Sequence, residues 1–237
     1  MRIIFLITEL GGGGAEKLLN DLLFFIKQNY TCEILIISDK DQKYFDSIGK
    51  NGIPITIVPK ELKNPIKKIR FIKYFIANGN YSLIHVNLFP MLYYGAIIKK
   101  LYFKQIPFIY TEHNTDNRRR HIPGLWVIEK YFIYKQYQHI ISISAKTQES
   151  LLAWLKKKTE KYSVISNGVP LQDFYIAKPC IRSELIETYN SGDILLCMIG
   201  SFTEQKNHIF AMEILKMLPS YFKLILVGEG ILLETIK

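Results

Sequence analysis

The chain is short of the features that mark several protein classes. It has three cysteines in 237 residues, Cys32, Cys180 and Cys197, far apart and without metal-ligand spacing. An odd count with no framework excludes a disulfide scaffold and fits a reducing cytoplasm. No apolar run approaches the ~20 residues of a spanning helix. The N-terminal run, Ile3 to Ile7, reads as a strand rather than a signal peptide, so the sequons at Asn29 and Asn80 are chance matches. There is no internal repeat and no low-complexity tract. Acidic residues are in deficit, 21 against 31 Lys and Arg, for a net charge of +10. That surplus favours anionic partners such as nucleotides or a negatively charged membrane surface. Nucleic-acid binding is not expected, because the basic residues form no recognised motif and the aromatics fall in core-like positions.

What is present is alternation. Strand signals fall at 2–8, 32–38, 54–58, 82–87, 107–112, 139–143 and 162–166, and helical signals at 14–28, 40–50, 64–78, 89–103, 124–137 and 145–157. The central strands are nearly continuous apolar runs, as when both faces are covered. This rhythm predicts right-handed βαβ units and an α/β fold, a doubly wound parallel sheet of Rossmann-like type. Asn167-Gly168-Val169-Pro170 breaks the rhythm with a strong turn signal. It restarts with a strand at 194–199, a helix at 206–218 and a strand at 222–227. The expected domains are 1–168, a linker 169–190, and 191–237 as the incomplete start of a second Rossmann-like domain. Cys32 and Cys197 are expected in or beside buried strands.

Four consecutive glycines, Gly11 to Gly14, lie between the first strand and the first helix, whose Leu18, Leu19, Leu22, Leu23 and Ile26 share one face. A glycine loop there lets backbone N–H groups and the helix N-terminus meet an anion. A second loop, Gly200 to His208, follows the strand at 194–199, where open α/β sheets bind ligands. Its Lys206 could place a point charge on a diphosphate. Asp39-Lys40-Asp41 matches D-x-D, a metal-holding pattern, but sits at a strand-to-helix turn where acids also cap helices. Asp39 after the second strand also fits a dinucleotide site, yet no register of the loop keeps G-x-G-x-x-G, which leaves a Rossmann oxidoreductase as a minor alternative.

Gly12-Gly13-Gly14-Ala15-Glu16-Lys17, Thr111-Glu112-His113-Asn114 with Asn117 to Arg120, Ser166-Asn167-Gly168-Val169, Gly200 to Lys206 and Leu226 to Gly230 occur in this order. Together they resemble glycosyltransferase family 4, retaining enzymes of the two-domain GT-B architecture, and most closely bacterial enzymes of capsular or lipopolysaccharide-type polysaccharide assembly. The resemblance implies transfer of a sugar from a nucleotide-diphosphate donor to a glycan or lipid-linked acceptor, with no metal or other cofactor. It implies a cleft in which Gly12, Gly13 and Gly14 line the diphosphate and transferred sugar, and Lys206 binds phosphate. Ser201 stands where the family usually has an arginine. His113 is the catalytic candidate, through a hydrogen bond to the transferred sugar or electrostatic help, against a loop-filling role. Glu112, Asn114, Arg118 and His85 are acceptor-side candidates. The family's two glutamates eight positions apart are absent from this sequence, so the chain alone is expected not to be a competent transferase but a fragment, a truncated reading frame or half of a split enzyme; the alternative is a catalytically inactive or split fragment acting as a binding module at the membrane. Lys63 to Phe75 reads as a basic amphipathic helix, joined by the basic–aromatic stretch Lys99 to Lys104. A sheet-covering role or peripheral contact with anionic lipid on the inner face of the plasma membrane would each fit.

Overall fold

The structure, a computed structural model, describes residues 1–156, 161–179, 181–185 and 189–236. Cys180 and the last residue of the predicted helix 145–157 lie outside them. By internal contacts the chain divides into Met1–Leu171 and Gln172–Lys237.

The first unit runs β1 (Arg2–Ile7), α1 (Gly14–Ile26), β2 (Thr31–Ile36), α2 (Phe45–Lys50), β3 (Ile55–Ile57), α3 (Pro65–Asn78), β4 (Leu83–Asn87), α4 (Met91–Leu101), β5 (Phe108–Glu112), α5 (Leu125–Ile128), β6 (His139–Ser142), α6 (Ala145–Leu155) and β7 (Tyr162–Val164). Its seven strands form one parallel sheet in the order β3-β2-β1-β4-β5-β6-β7. The chain winds outward from β1 to β3, then returns to lay β4 against the other side of β1. That reversal places the switch point, where doubly wound sheets open a crevice, at the carboxyl ends of β1 and β4.

Period-two alternation explains the two cores. Ile4 and Leu6 of β1 join Ile84, Val86, Phe108 and Tyr110 beneath α3, α4 and α6. Ile3, Phe5 and Ile7 join Ile34 and Ile36 beneath α1 and α2. In α3, Asn64 accepts from the Ile66 N–H at 2.8 Å and Pro65 opens the helix, both favourable at a helix start. Ile72 and Ile76 of α3 are buried and Ile69 and Phe75 pack on the same core, so this helix covers the sheet.

Three local differences from the expected pattern have physical causes. The buried stripe of α1 is Glu16, Leu19 and Leu23, while Leu22 faces out, because the helix turns Glu16 toward the glycine loop. The helix expected over 40–50 starts only at Phe45, since Asp39 pairs with Lys60 and Asp41 with the loop. The helix expected over 124–137 breaks into α5, a π-helical turn at Glu129–Ile133 and a 3₁₀ turn at Tyr134–Gln136. The widened turn directs Glu129, Ile133 and Tyr134 all inward.

The second unit holds α7 (Leu171–Tyr175, opening at the boundary), α8 (Arg182–Leu185), β8 (Ile194–Ile199), α9 (His208–Met217), β9 (Phe222–Val227) and α10 (Leu233–Ile236). β8 and β9 pair in parallel along their full length. Among the described residues one long helix, α9, lies beside this sheet, and Ile194, Ile199 and Val227 are exposed. Cys197 is exposed too, contrary to the buried position that its apolar neighbours suggest.

Candidate functional site

The loop after β1 commits one of the N–H groups that its glycines suggest to a side chain of the protein itself. The Gly12 N–H donates to Asp41 Oδ2 at 2.9 Å. A side chain at Gly13 would put its Cβ 2.3 Å from Glu16 Oε2, so that glycine makes room for a buried carboxylate. Burial raises the Glu16 carboxyl above the usual carboxylate range, with Glu9 and Asp41 pushing the same way. Lys43 is the cation nearby, with Nζ 3.9 Å from where a Gly12 Cβ would stand. Gly14, the first residue of α1, has open space around it. Three carboxylates therefore surround a loop that sequence alone marks as an anion site, and they oppose a diphosphate there. Asp39 and Asp41 have separate partners and do not act as a pair.

Next to this loop, β4 and β5 carry four polar side chains on one face. His85 and Asn87 alternate along β4, and Thr111 and His113 do so along and just beyond β5. His85 Nε2 lies 2.7 Å from Thr111 Oγ1, and His113 Nε2 lies 3.1 Å from Asn87 Oδ1. Desolvation pushes His113 down to about 4. It pushes His85 down to about 3, with His113 adding to the effect. Both imidazoles are neutral at pH 7, so His113 offers hydrogen bonds rather than charge. Immediately after Asn87, Leu88 adopts φ +62°. A non-glycine residue there costs about 1–2 kcal/mol, and such strain gathers at functional sites.

The other face of β5 is committed to internal pairing. Glu112 is buried; its Oε2 accepts from the Tyr134 hydroxyl at 2.9 Å and faces Arg120 at 3.5 Å. Its Oε1 accepts from the Asn114 N–H at 3.2 Å. Glu112 thus shapes the loop from below, buried with both oxygens engaged by residues of the same unit. Arg119 pairs with Glu129 and lies over the Phe89 and Tyr93 rings. Glu129 also accepts from the Tyr93 hydroxyl and Trp154 Nε1, each at 2.7 Å, and burial with Glu129 pushes the Tyr93 hydroxyl up to about 12. Arg120 is held by Thr115 O and Ser150 Oγ. Of the arginine run, Arg118 stays at the surface, and the Asn114 side chain is exposed beside it. Glu129 and Asn87 escaped sequence reasoning. For Asn87 the signal was available: His85 and Asn87 share strand parity.

In the second unit, the loop after β8 is built by close backbone contact. The Phe202 N–H donates to Glu229 O at 2.8 Å and the Gly200 N–H to Val227 O at 2.9 Å. A Cβ at Gly228 would stand 1.9 Å from Gly200 O, and one at Gly230 2.5 Å from Phe202 O; only glycine fits. Ser201 and Lys206 are exposed, and the Lys206 stem crosses Gly200. His208 opens α9, buried and stacked on Phe202 at 4.3 Å between ring centroids.

Among the described residues, the buried side-chain polar atoms without a hydrogen-bond partner are Asn87 Nδ2, Asn117 Nδ2, Arg120 Nη2, Ser142 Oγ and both nitrogens of His208. In the first unit they belong to the carboxyl ends of β4 and β6 and to the segment after β5; in the second, to the first residue of α9. Buried polar groups are normally satisfied, which singles these atoms out.

A profile of glycosyltransferase family 4 matches residues 12–173. The N-acetylgalactosamine-N,N'-diacetylbacillosaminyl-diphospho-undecaprenol 4-alpha-N-acetylgalactosaminyltransferase of Campylobacter jejuni is 22% identical over 240 residues, 95% of this chain and 62% of that protein. The fold is similar to that of HepE from Anabaena, solved in complex with UDP and glucose, with TM-score 0.78, 19% identity, and coverage of 99% of this chain and 63% of HepE. A glycosyltransferase from Rickettsia africae gives TM-score 0.72 and 20% identity, covering 96% of this chain and 60% of that one. The chain therefore spans a little under two thirds of each of these relatives. With the profile matched over more than half its length and a doubly wound parallel sheet beneath it, the chain belongs to glycosyltransferase family 4.

Proposed function

We propose that the protein serves retaining transfer of a sugar from a nucleotide-diphosphate donor to a glycan or lipid-linked acceptor, in cell-surface polysaccharide assembly of the capsule or lipopolysaccharide kind. The family match over residues 12–173 carries this reading. HepE, solved with UDP and glucose, supports the donor class. The Campylobacter relative, named for a diphospho-undecaprenol-linked substrate, supports the acceptor class.

In this reading Lys206 and Ser201 are the second unit's phosphate-binding candidates, and Lys206 supplies counter-charge in place of a metal. The sugar's C1–O bond to phosphate breaks while the acceptor oxygen bonds C1 on the same face. The acceptor's proton passes to the departing phosphate oxygen, so no side-chain nucleophile is required. Within the first unit, the neutral His113 is the candidate for meeting a sugar by hydrogen bonding. The acid-lined loop at Gly12 to Gly14 suits hydroxyl groups, whose hydrogens carboxylates accept, better than phosphates. Because the sequence has no pair of glutamates eight apart, these 237 residues alone are expected to bind donor without turning it over.

A basic aromatic surface favours work at the cytoplasmic face of a membrane. Lys73 lies over Tyr102, Lys100 over Phe132, and Lys130 and Lys156 over Trp126. Tyr102, Ile128, Tyr131 and Phe132 are exposed there. Lysines beside exposed aromatics suit an anionic lipid interface. Among the described residues, no helix is long and apolar enough to cross a membrane.

A thermal-shift screen with UDP-glucose, UDP-N-acetylgalactosamine, GDP-mannose and NADH tests the donor class. Stabilisation by a nucleotide sugar and none by NADH is expected; stabilisation by NADH alone would overturn the reading.

A further inference from the structure

Asn87 occupies an unusual position. It is the last residue of β4, at the switch point of the sheet, and only 4% exposed. Its Oδ1 is 3.1 Å from His113 Nε2, yet its Nδ2 has no partner. A carbonyl oxygen can only accept, so in this arrangement His113 carries its proton on Nε2. Its Nδ1 is then a bare acceptor. The Asn87 amide nitrogen is a buried donor, and leaving such a donor unmatched is unfavourable. The bond to His113 uses only the amide oxygen, so it does not account for the buried amide nitrogen. The strained Leu88 that follows fixes the strand end.

Resting on the sugar-transfer reading above, we propose that Asn87 is both the positioning residue for His113 and a direct reader of the sugar. Its oxygen holds the Nε2–H form of the ring, and its amide donates to a hydroxyl oxygen of the bound sugar. The two residues together then present one donor and one acceptor, Asn87 Nδ2 and His113 Nδ1, to two different hydroxyls of the sugar, because Nδ1 lies on the side of the ring away from Asn87. Sugar hydroxyls can satisfy both, since each donates once and accepts twice. A diphosphate oxygen cannot, because it has no proton to give to His113 Nδ1. The pair therefore selects the sugar rather than the phosphates.

The test is ¹⁵N-histidine and side-chain amide NMR on the 237-residue chain, with UDP-glucose as the probe. In the wild type, His113 is expected as the Nε2–H tautomer alone, and the Asn87 amide signals shift on titration with UDP-glucose. Asn87→Ala should give a mixture of tautomers. Asn87→Asp still accepts from Nε2–H, so it should keep the tautomer yet weaken UDP-glucose by about tenfold or more, because it lacks the donor. It also guards against Asn87→Ala failing to fold. A wild-type Nδ1–H tautomer would overturn the proposal, since the amide would then be turned around. So would an unchanged ring in Asn87→Ala, or Asn87 amide signals that stay still while others shift with UDP-glucose. If no signal anywhere responds to UDP-glucose, the sugar-transfer reading itself fails for this probe and the sugar-reading half of the proposal falls with it; the tautomer result separately decides the positioning half.

Discussion

Gly11–Gly14 after β1 and Gly200 after β8 hold equivalent places, each between the carboxyl end of a parallel strand and a helical segment. Their surroundings are opposite. Glu9, Glu16 and Asp41 gather at the first, while Lys206 and Ser201 stand exposed at the second. In the first unit the neighbouring cations Arg119 and Arg120 are also internally paired. A glycine run thus specifies close backbone approach but not what approaches. At Gly13 it is a carboxylate of the protein itself; at Gly228 and Gly230 it is the backbone of the adjoining loop.

The largest effect expected of any test of this contrast lies in the internal pairing. Glu129→Ala strands the buried Arg119 guanidinium and two donors, and urea unfolding should show a loss of about 3–5 kcal/mol. If the loss is negligible, the arginines are not held as described and are free to serve a ligand. Gly228→Ala comes next. Its Cβ would collide with Gly200 O, so hydrogen exchange should show the second loop loosened, at a cost of about 1–3 kcal/mol. Lys206→Ala should leave the melting temperature unchanged and weaken UDP by about tenfold or more in calorimetry, with less salt dependence.

A smaller effect separates the histidine ladder from both loops. His85 and His113 have folded values of about 3 and 4, below the ~6.5 of an unfolded histidine. The unfolded chain therefore binds more protons as pH falls, so stability present above pH ~6.5 is lost on the way down to those values. The slope is at most ~1.4 kcal/mol per pH unit for each histidine, read by denaturant midpoints from pH 7 to 5. A His85→Asn, His113→Asn double variant should flatten it. Smallest is Gly12→Ala, whose Cβ would meet only the flexible Lys43 side chain at 3.5 Å; a change of more than about 1 kcal/mol would mean that the loop is tighter than described.

Much of the fold was legible because it rests on local periodicity. Every strand from β1 to β9 falls within a residue or two of its pattern. What escaped depends on partners distant in sequence. The π turn at Glu129 follows from Arg119, Tyr93 and Trp154 converging on one carboxylate. Cys197 reads as buried from its strand, but burial needs a covering layer that the described residues of this unit do not place over it. Of the candidate site, His113, Ser201 and Lys206 are readable as motif positions, whereas the acids around Gly12 and the link from Asn87 to His113 emerge only once β1, β2, β4 and β5 are paired.

The most direct measurement is ³¹P NMR of UDP titrated with the wild-type chain, Lys206→Ala and Gly12→Ala. Phosphate signals that broaden with the wild type and Gly12→Ala, and stay sharp with Lys206→Ala, are the predicted result. Signals that stay sharp with Gly12→Ala but broaden with Lys206→Ala would place the diphosphate on the acid-lined loop and contradict the account.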